Sequence, residues 1–237
     1  MAPGAPSGVM IAAILGPAAA VGKTTLALHL AGEAALRHSR VLLIDADPRG
    51  AAWRWARARA ERGGEELFCV TTCPPHELSG ALEEAGPFHD HVIVDTAFAF
   101  DAIRPALAQL DLALVIVSPV IASIRAGASL AALATRGRRY QRRPEALLVV
   151  NRLRPGDPVN AILRDAMAAS PAAMLATAIT ERFAFPESEA SGRLVHEIDP
   201  QGPADRAIEM LLDELAEHGM CVAGKAASAM PAPRWRL

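Results

Sequence analysis

Seven short apolar runs, at residues 9–15, 40–45, 67–71, 91–95, 111–117, 146–151 and 174–179, alternate with helix-like segments along the whole chain. These runs are apolar at nearly every position rather than every second one. A strand of that kind must be covered on both faces, the environment of a parallel sheet with helical crossovers. The segments at 24–37, 51–62, 76–85, 100–109, 123–142, 158–169 and 203–218 supply the helices. The expected architecture is therefore α/β, a single doubly wound, mostly parallel sheet with helices on both faces. No Pro/Gly-rich linker divides the chain, so residues 1–218 are expected to form one domain and the Ala/Pro-rich residues 219–237 a loose tail. With 51% hydrophobic but only 4% aromatic content, the core has to be built from Ala, Leu, Val and Ile.

The first apolar run leads into "ILGPAAAVGKTT", residues 14–25. An export signal needs a positive charge before its apolar stretch, and here the first basic residue is Lys23. Gly16 and Pro17 interrupt the run, which is too short to span a bilayer. The expectation is a cytoplasmic chain with no membrane partner. A net charge of −2 excludes nothing, so any basic patch must be local. Cys69, Cys73 and Cys221 lack the paired spacing of a zinc site and read as reduced thiols.

A strand, a loop and then Gly22-Lys23-Thr24-Thr25 opening a helix is the context of a phosphate-binding loop, and hence of a P-loop NTPase. Backbone N–H groups at the helix start would face the phosphates, aided by the helix dipole. Lys23 would neutralise β/γ-phosphate charge and Thr24 would ligate Mg²⁺. The loop is unusual in carrying Pro17 and three alanines, Ala18, Ala19 and Ala20, where glycine is usual. The alanines keep their N–H donors, but a left-handed alanine costs roughly 1–2 kcal/mol.

Two further runs, "VLLIDADPRG" (41–50) and "HVIVDTAFAF" (91–100), place Asp45, Asp47 and Asp95 at strand C-termini. That is the edge where doubly wound sheets bind ligands. A single strand-end Asp can equally be a helix cap. Asp95 has the form of a carboxylate serving Mg²⁺.

Taken with "VNR" (150–152) and "AITERFAFPESEASGRLVHE" (178–197), these motifs make the chain resemble the ParA family of P-loop ATPases, which includes MinD and plasmid-partition proteins. The likeness covers nearly all of residues 9–218 and is nearest to small partition ATPases without an N-terminal DNA-binding domain. It implies ATP/ADP and Mg²⁺ as cofactors. It implies that Val21, Gly22, Lys23, Thr24 and Thr25 hold phosphates, and that Thr24, Asp45 and Asp95 surround the metal. Asp47 would position the attacking water, with Lys23 as its catalytic companion, and Asn151 and Arg152 would border adenine. The resemblance further implies an ATP-dependent homodimer, nonspecific DNA binding, a nucleoid-associated location and a ParB-like or cargo adaptor partner.

The chain departs from the family pattern in two places. The family loop reads Lys-Gly-Gly-x-Gly-Lys-Thr, and its first lysine and two glycines fall on Ala18, Ala19 and Ala20; the Pro-Pro after the second carboxylate strand is Ala97-Phe98. A cation supplied in trans is worth about 10³–10⁵ in phosphoryl transfer, so slow hydrolysis is expected. Arg49, beside Asp47, is either a substitute cation or a solvated surface arginine. "RGRRYQRR" (136–143) holds Arg136, Arg138, Arg139, Arg142 and Arg143. It reads either as a DNA-phosphate stripe or as a solvated helix end. Two other functions remain open: a dethiobiotin-synthetase-like ATP-dependent enzyme and a nucleotide-binding switch that does not hydrolyse.

Overall fold

The computed structural model describes residues 8–97, 100, 103–135, 144–154, 156, 165, 170 and 172–220. Its centre is a seven-stranded sheet: β1 (Met10–Leu15), β2 (Val41–Asp45), β3 (Cys69–Thr72), β4 (His91–Asp95), β5 (Leu112–Val117), β6 (Glu145–Val150) and β7 (Ala173–Met174). All pairings are parallel, in the order β3-β2-β4-β1-β5-β6-β7. The chain visits β2, β3 and β4 on one side of β1 and β5, β6 and β7 on the other. The progression thus reverses beside β1, where such sheets open a crevice at their carboxyl edge.

Strand alternation sorts the core into two layers. Met10, Ala12 and Ile14 face a cluster with Leu26 and Leu30 of α1 (Lys23–Leu36), Trp55 of α2 (Ala51–Glu61), and Ile208 and Leu211 near the C-terminus. Ile11, Ala13 and Leu15 face Leu78 and Leu82 of α3 (Leu78–Ala85), with Ile124 and Ala131 of α4 (Ile121–Thr135). Both faces are therefore covered, as continuous apolar strands require. Among the described residues no helix is long and apolar enough to cross a membrane.

Three expectations are modified. The 100–109 helix is a 3-10 segment, Arg104–Gln109, with Pro105 in its first turn, where a missing N–H costs nothing. β7 is two residues rather than six: Ala176 and Thr177 donate their N–H groups to the Glu214 carboxylate at 2.6 and 2.8 Å instead of to the sheet. The strand path resumes only at single contacts, such as Ile179 N–H to the Val150 carbonyl. Two short helices not expected from periodicity, α5 (Ala184–Ser191) and α6 (Val195–Ile198), precede α7 (Pro203–Glu217). Gly192, left-handed with φ 67°, ends α5. Met220 is buried in the core. The 136–143 arginine cluster, most of the 158–169 segment and residues 221–237 lie outside the described residues.

Candidate functional site

β1 delivers the chain into the loop at Gly16, where an added Cβ would lie 2.7 Å from the Val21 side chain and 3.0 Å from the Ile116 carbonyl. Ala18, Ala19 and Ala20 are exposed above the loop, and Ala20 is left-handed, with φ 58°. The alanine cost anticipated from sequence is thus met at one position of the three. Gly22 caps α1 with φ 97° and ψ 24°, so the chain turns into the helix with its first N–H groups free of side-chain caps.

Asn151, just beyond β6, braces this turn. Its Nδ2 donates to the Val21 carbonyl at 2.8 Å, and its Oδ1 accepts the Arg152 N–H at 2.9 Å. Arg152 is left-handed, with φ 61°. Of the pair expected to border the base, Asn151 is therefore also the support of the phosphate loop.

Lys23, on the first turn of α1, is buried, and its Nζ donates to the Ala18 carbonyl at 3.2 Å. Burial pushes its pKa down, partly offset by Asp95. The next residue meets β4: the Thr24 hydroxyl donates to Asp95 Oδ2 at 2.6 Å. Asp95 is fully buried, and among the described residues its Oδ1 has no hydrogen-bond partner. Desolvation raises its pKa to about 7, against the lowering effect of Thr24 and with a further raise from Asp45.

β2 and β4 are in register at Asp45 and Asp95, so the two carboxylates end adjacent strands at one level. Asp45 accepts the Trp53 N–H at 3.0 Å and the Asp47 N–H at 3.2 Å. It thus caps α2, the alternative its position left open, while remaining beside Asp95. Burial raises its pKa, against the effect of those N–H donors.

Asp47 is gripped by Arg49. Oδ1 accepts the Arg49 N–H at 2.9 Å and Nε at 3.1 Å, and Oδ2 accepts Nε at 3.1 Å and Nη2 at 2.6 Å. The guanidinium holds the Asp47 carboxyl below the usual carboxylate range. Arg49 is thus more than a solvated surface side chain, although 61% of its side chain is exposed.

A cavity of about 510 Å³ opens beside the start of α1, lined among others by Lys23, Thr24, Thr25, Arg49, Arg152 and Ser188. Val21, whose carbonyl Asn151 holds, is buried. The cavity's cations and the free N–H groups of α1 suit a phosphorylated ligand. Among the described residues no three His, Cys, Asp or Glu side chains are arranged to hold a metal alone. The Thr24 hydroxyl and the unpartnered Asp95 oxygen fit Mg²⁺ instead, which is held by one or two protein groups plus phosphate oxygens and water.

Sequence reasoning did not place α5 at this cavity. Ser188 hydrogen-bonds through its carbonyl to Trp55 Nε1 at 3.1 Å, tying α5 to α2. The ring of His29, on α1, donates through Nδ1 to the Thr25 carbonyl at 2.7 Å and accepts the Val195 N–H at Nε2 at 3.2 Å. The Pro186 and Gly192 punctuation was a readable helix signal; the contacts with α1 and α2 were not.

Comparison with known proteins gives the same lineage. The chain is 40% identical over 111 residues to "Maintenance of carboxysome distribution protein A" from Gloeobacter kilaueensis, an alignment covering 46% of this chain and 49% of that relative. It is 26% identical over 200 residues to the protein of that name from Halothiobacillus neapolitanus, covering 82% and 90%. Its fold is shared with MinD cell division protein of Aquifex aeolicus, with a TM-score of 0.70 at 20% identity over 88% of this chain and 98% of that one. It is shared too with septum site-determining protein MinD of Pyrococcus horikoshii complexed with Mg-ADP, with a TM-score of 0.66 at 15% identity over 89% and 98%. A family model for the CobQ/CobB/MinD/ParA nucleotide binding domain matches residues 12–195, so with its phosphate loop, paired strand-end aspartates and seven-stranded parallel sheet the chain belongs to the CobQ/CobB/MinD/ParA family.

Proposed function

We propose that the protein is an ATPase that positions an intracellular cargo, by ATP-dependent homodimerisation and sequence-independent DNA binding. The observation that carries the nucleotide part is the Thr24–Asp95 pair, with its unpartnered buried oxygen, at the mouth of a helix whose first N–H groups are free. Lys23 would leave the Ala18 carbonyl for the phosphates, Thr24 and Asp95 would hold Mg²⁺, and Asp45 would add negative charge beside them. When bound, Mg²⁺ would neutralise phosphate charge during transfer to water. Asp47 would orient that water, and Asn151 and Arg152 would lie toward the base.

The cargo reading is favoured over plasmid partition by the names of the two curated relatives. The alanine loop supports slow hydrolysis, since neither Ala18 nor its neighbours can lend a cation to a second subunit. The DNA reading rests on the arginines at 136–143. An adaptor protein, in the role of ParB, would connect the cycle to its cargo.

Light scattering with Mg·ATP, Mg·ADP and no nucleotide tests the cycle: a dimer is expected with ATP alone. Lys23→Ala should abolish nucleotide binding in isothermal titration. Unchanged ATP affinity in that variant would overturn the phosphate-loop assignment. Turnover only in the presence of a small carboxylic acid would instead favour the dethiobiotin-synthetase-like alternative. ATP binding without single-turnover hydrolysis would favour a non-hydrolysing switch.

A further inference from the structure

Arg49 occupies an unusual position for a side chain on a phosphate cavity. Its backbone N–H and guanidinium make four contacts to Asp47, so each carboxylate oxygen is taken twice. Three N–H groups, with that of Nε shared between both oxygens, thus crowd a carboxylate that has about four acceptor sites, leaving little of it to orient a water molecule. The two partners are unequally fixed. Asp47 is 4% exposed, whereas Arg49 is 61% exposed and its head stands at the cavity wall. The Arg49 carbonyl is held by the Arg54 guanidinium, which anchors the backbone and leaves the side chain to move.

The electrostatic setting gives that movement a direction. Arg49 feels Asp47, Asp95 and Asp45, which stand at or just beyond the carboxyl ends of β2 and β4. It also depresses the Lys23 pKa, which places its charge within reach of the lysine at the loop. Lys23 is buried at the start of α1, with its ammonium held at the loop by the Ala18 carbonyl. Arg49, in the turn that leads from β2 into α2, lines the same cavity as an exposed cation, as do Arg54 and Arg152, but of the three it is the one whose guanidinium holds Asp47. A planar guanidinium binds a phosphate as readily as a carboxylate, through the same pair of parallel hydrogen bonds.

We infer that Arg49 is an exchangeable clamp that reads the terminal phosphate: it closes on Asp47 in the empty site, and transfers to the γ-phosphate of a nucleoside triphosphate, uncovering Asp47. This deepens the nucleotide reading above and rests on it. Arg49 thereby makes the site discriminate between triphosphate and diphosphate, and acts on water activation only through Asp47, as a positioning residue.

The test is isothermal titration of the full chain with Mg·ATP and Mg·ADP. Arg49→Gln is expected to weaken ATP binding about tenfold while ADP affinity stays within about threefold, the loss of one charge-assisted contact. Arg49→Lys, which keeps the charge without the fork, should fall between. Asp47→Asn should tighten ATP binding by releasing Arg49, and most of that gain should vanish in the double variant. The Arg49 Nε–H resonance should move on adding ATP and stay with ADP. Equal weakening of both nucleotides by Arg49→Gln, or an Asp47→Asn gain undiminished in the double variant, overturns the clamp while leaving nucleotide binding intact. Failure of the unmodified protein to bind either nucleotide overturns the nucleotide reading itself, and the clamp with it.

Discussion

Asn151 Nδ2 lies 2.1 Å from where a Cβ on Gly22 would sit. The residue that opens α1 is therefore glycine for two reasons, a φ of 97° and the amide packed against it. Gly22→Ala would have to displace Asn151 from the Val21 carbonyl and hold a strained backbone. It is expected to lose about 2–3 kcal/mol of stability and most nucleotide affinity. Urea denaturation and titration with ATP check both.

Ala20 carries φ 58° without glycine's freedom. Ala20→Gly removes about 1–2 kcal/mol of strain but adds about 0.4–1 kcal/mol of unfolded-chain entropy. A small net stabilisation, on the order of 0.5–1 kcal/mol, should appear as a raised denaturation midpoint. A destabilised variant would show that the loop tolerates the left-handed alanine without strain.

Asp47 and Asp95 should fail differently. Asp47→Ala is expected to lower kcat at least about 100-fold while ATP binding is retained. Asp95→Asn keeps an acceptor for Thr24 but removes the charge of the unpartnered oxygen, so Mg²⁺ should cease to strengthen ATP binding. Single-turnover assays and titrations with and without Mg²⁺ separate the two. An Asp47→Ala variant that hydrolyses ATP at the unmodified rate would remove Asp47 from the mechanism.

His29 makes folding acid-sensitive. Burial lowers its pKa to about 4, and the neutral ring bridges the Thr25 carbonyl and the Val195 N–H. Its ordinary value is near 6.5, so below that pH the unfolded chain takes up a proton that the folded chain refuses. Its contribution is thus intact above about pH 6.5 and is lost as pH falls toward 4, about 3 kcal/mol in all. The loss of stability between about pH 7 and 4.5 should be about 2.5 kcal/mol smaller in His29→Gln than in the unmodified protein. Equal losses would show that the ring is protonated in the fold.

DNA binding, if it comes from the arginines at 136–143, must be steeply salt-dependent, because the chain as a whole carries a net charge of −2. Replacing Arg138 and Arg142 together should weaken binding to all sequences alike and reduce the log–log salt slope by about 2. ATP should strengthen binding by aligning two such segments. Filter binding across salt concentrations gives the slope; an unchanged slope and affinity would return these arginines to the solvated helix end.

What was legible from the chain alone followed from local chemistry. Near-continuous apolar runs can be buried only in a sheet covered on both sides, so all seven strands and the placement of Asp45, Asp47 and Asp95 at its carboxyl edge were readable. So were the phosphate loop and its alanine anomaly, because strand, Gly-Lys-Thr-Thr and helix are contiguous. Partnerships between distant residues were not. Nothing near Asn151 in sequence says that its amide braces Val21, 130 residues away, or that Glu214 truncates β7. Asp45 as a helix cap was one of two open readings, and Arg49 closed on Asp47 was neither of the two held open for that arginine, since a strand-end carboxylate or an exposed arginine takes whatever partner the packing presents. Only the fold, by bringing α2 and α5 over the end of β2, decided which groups are held and which oxygen, that of Asp95, is left for a ligand.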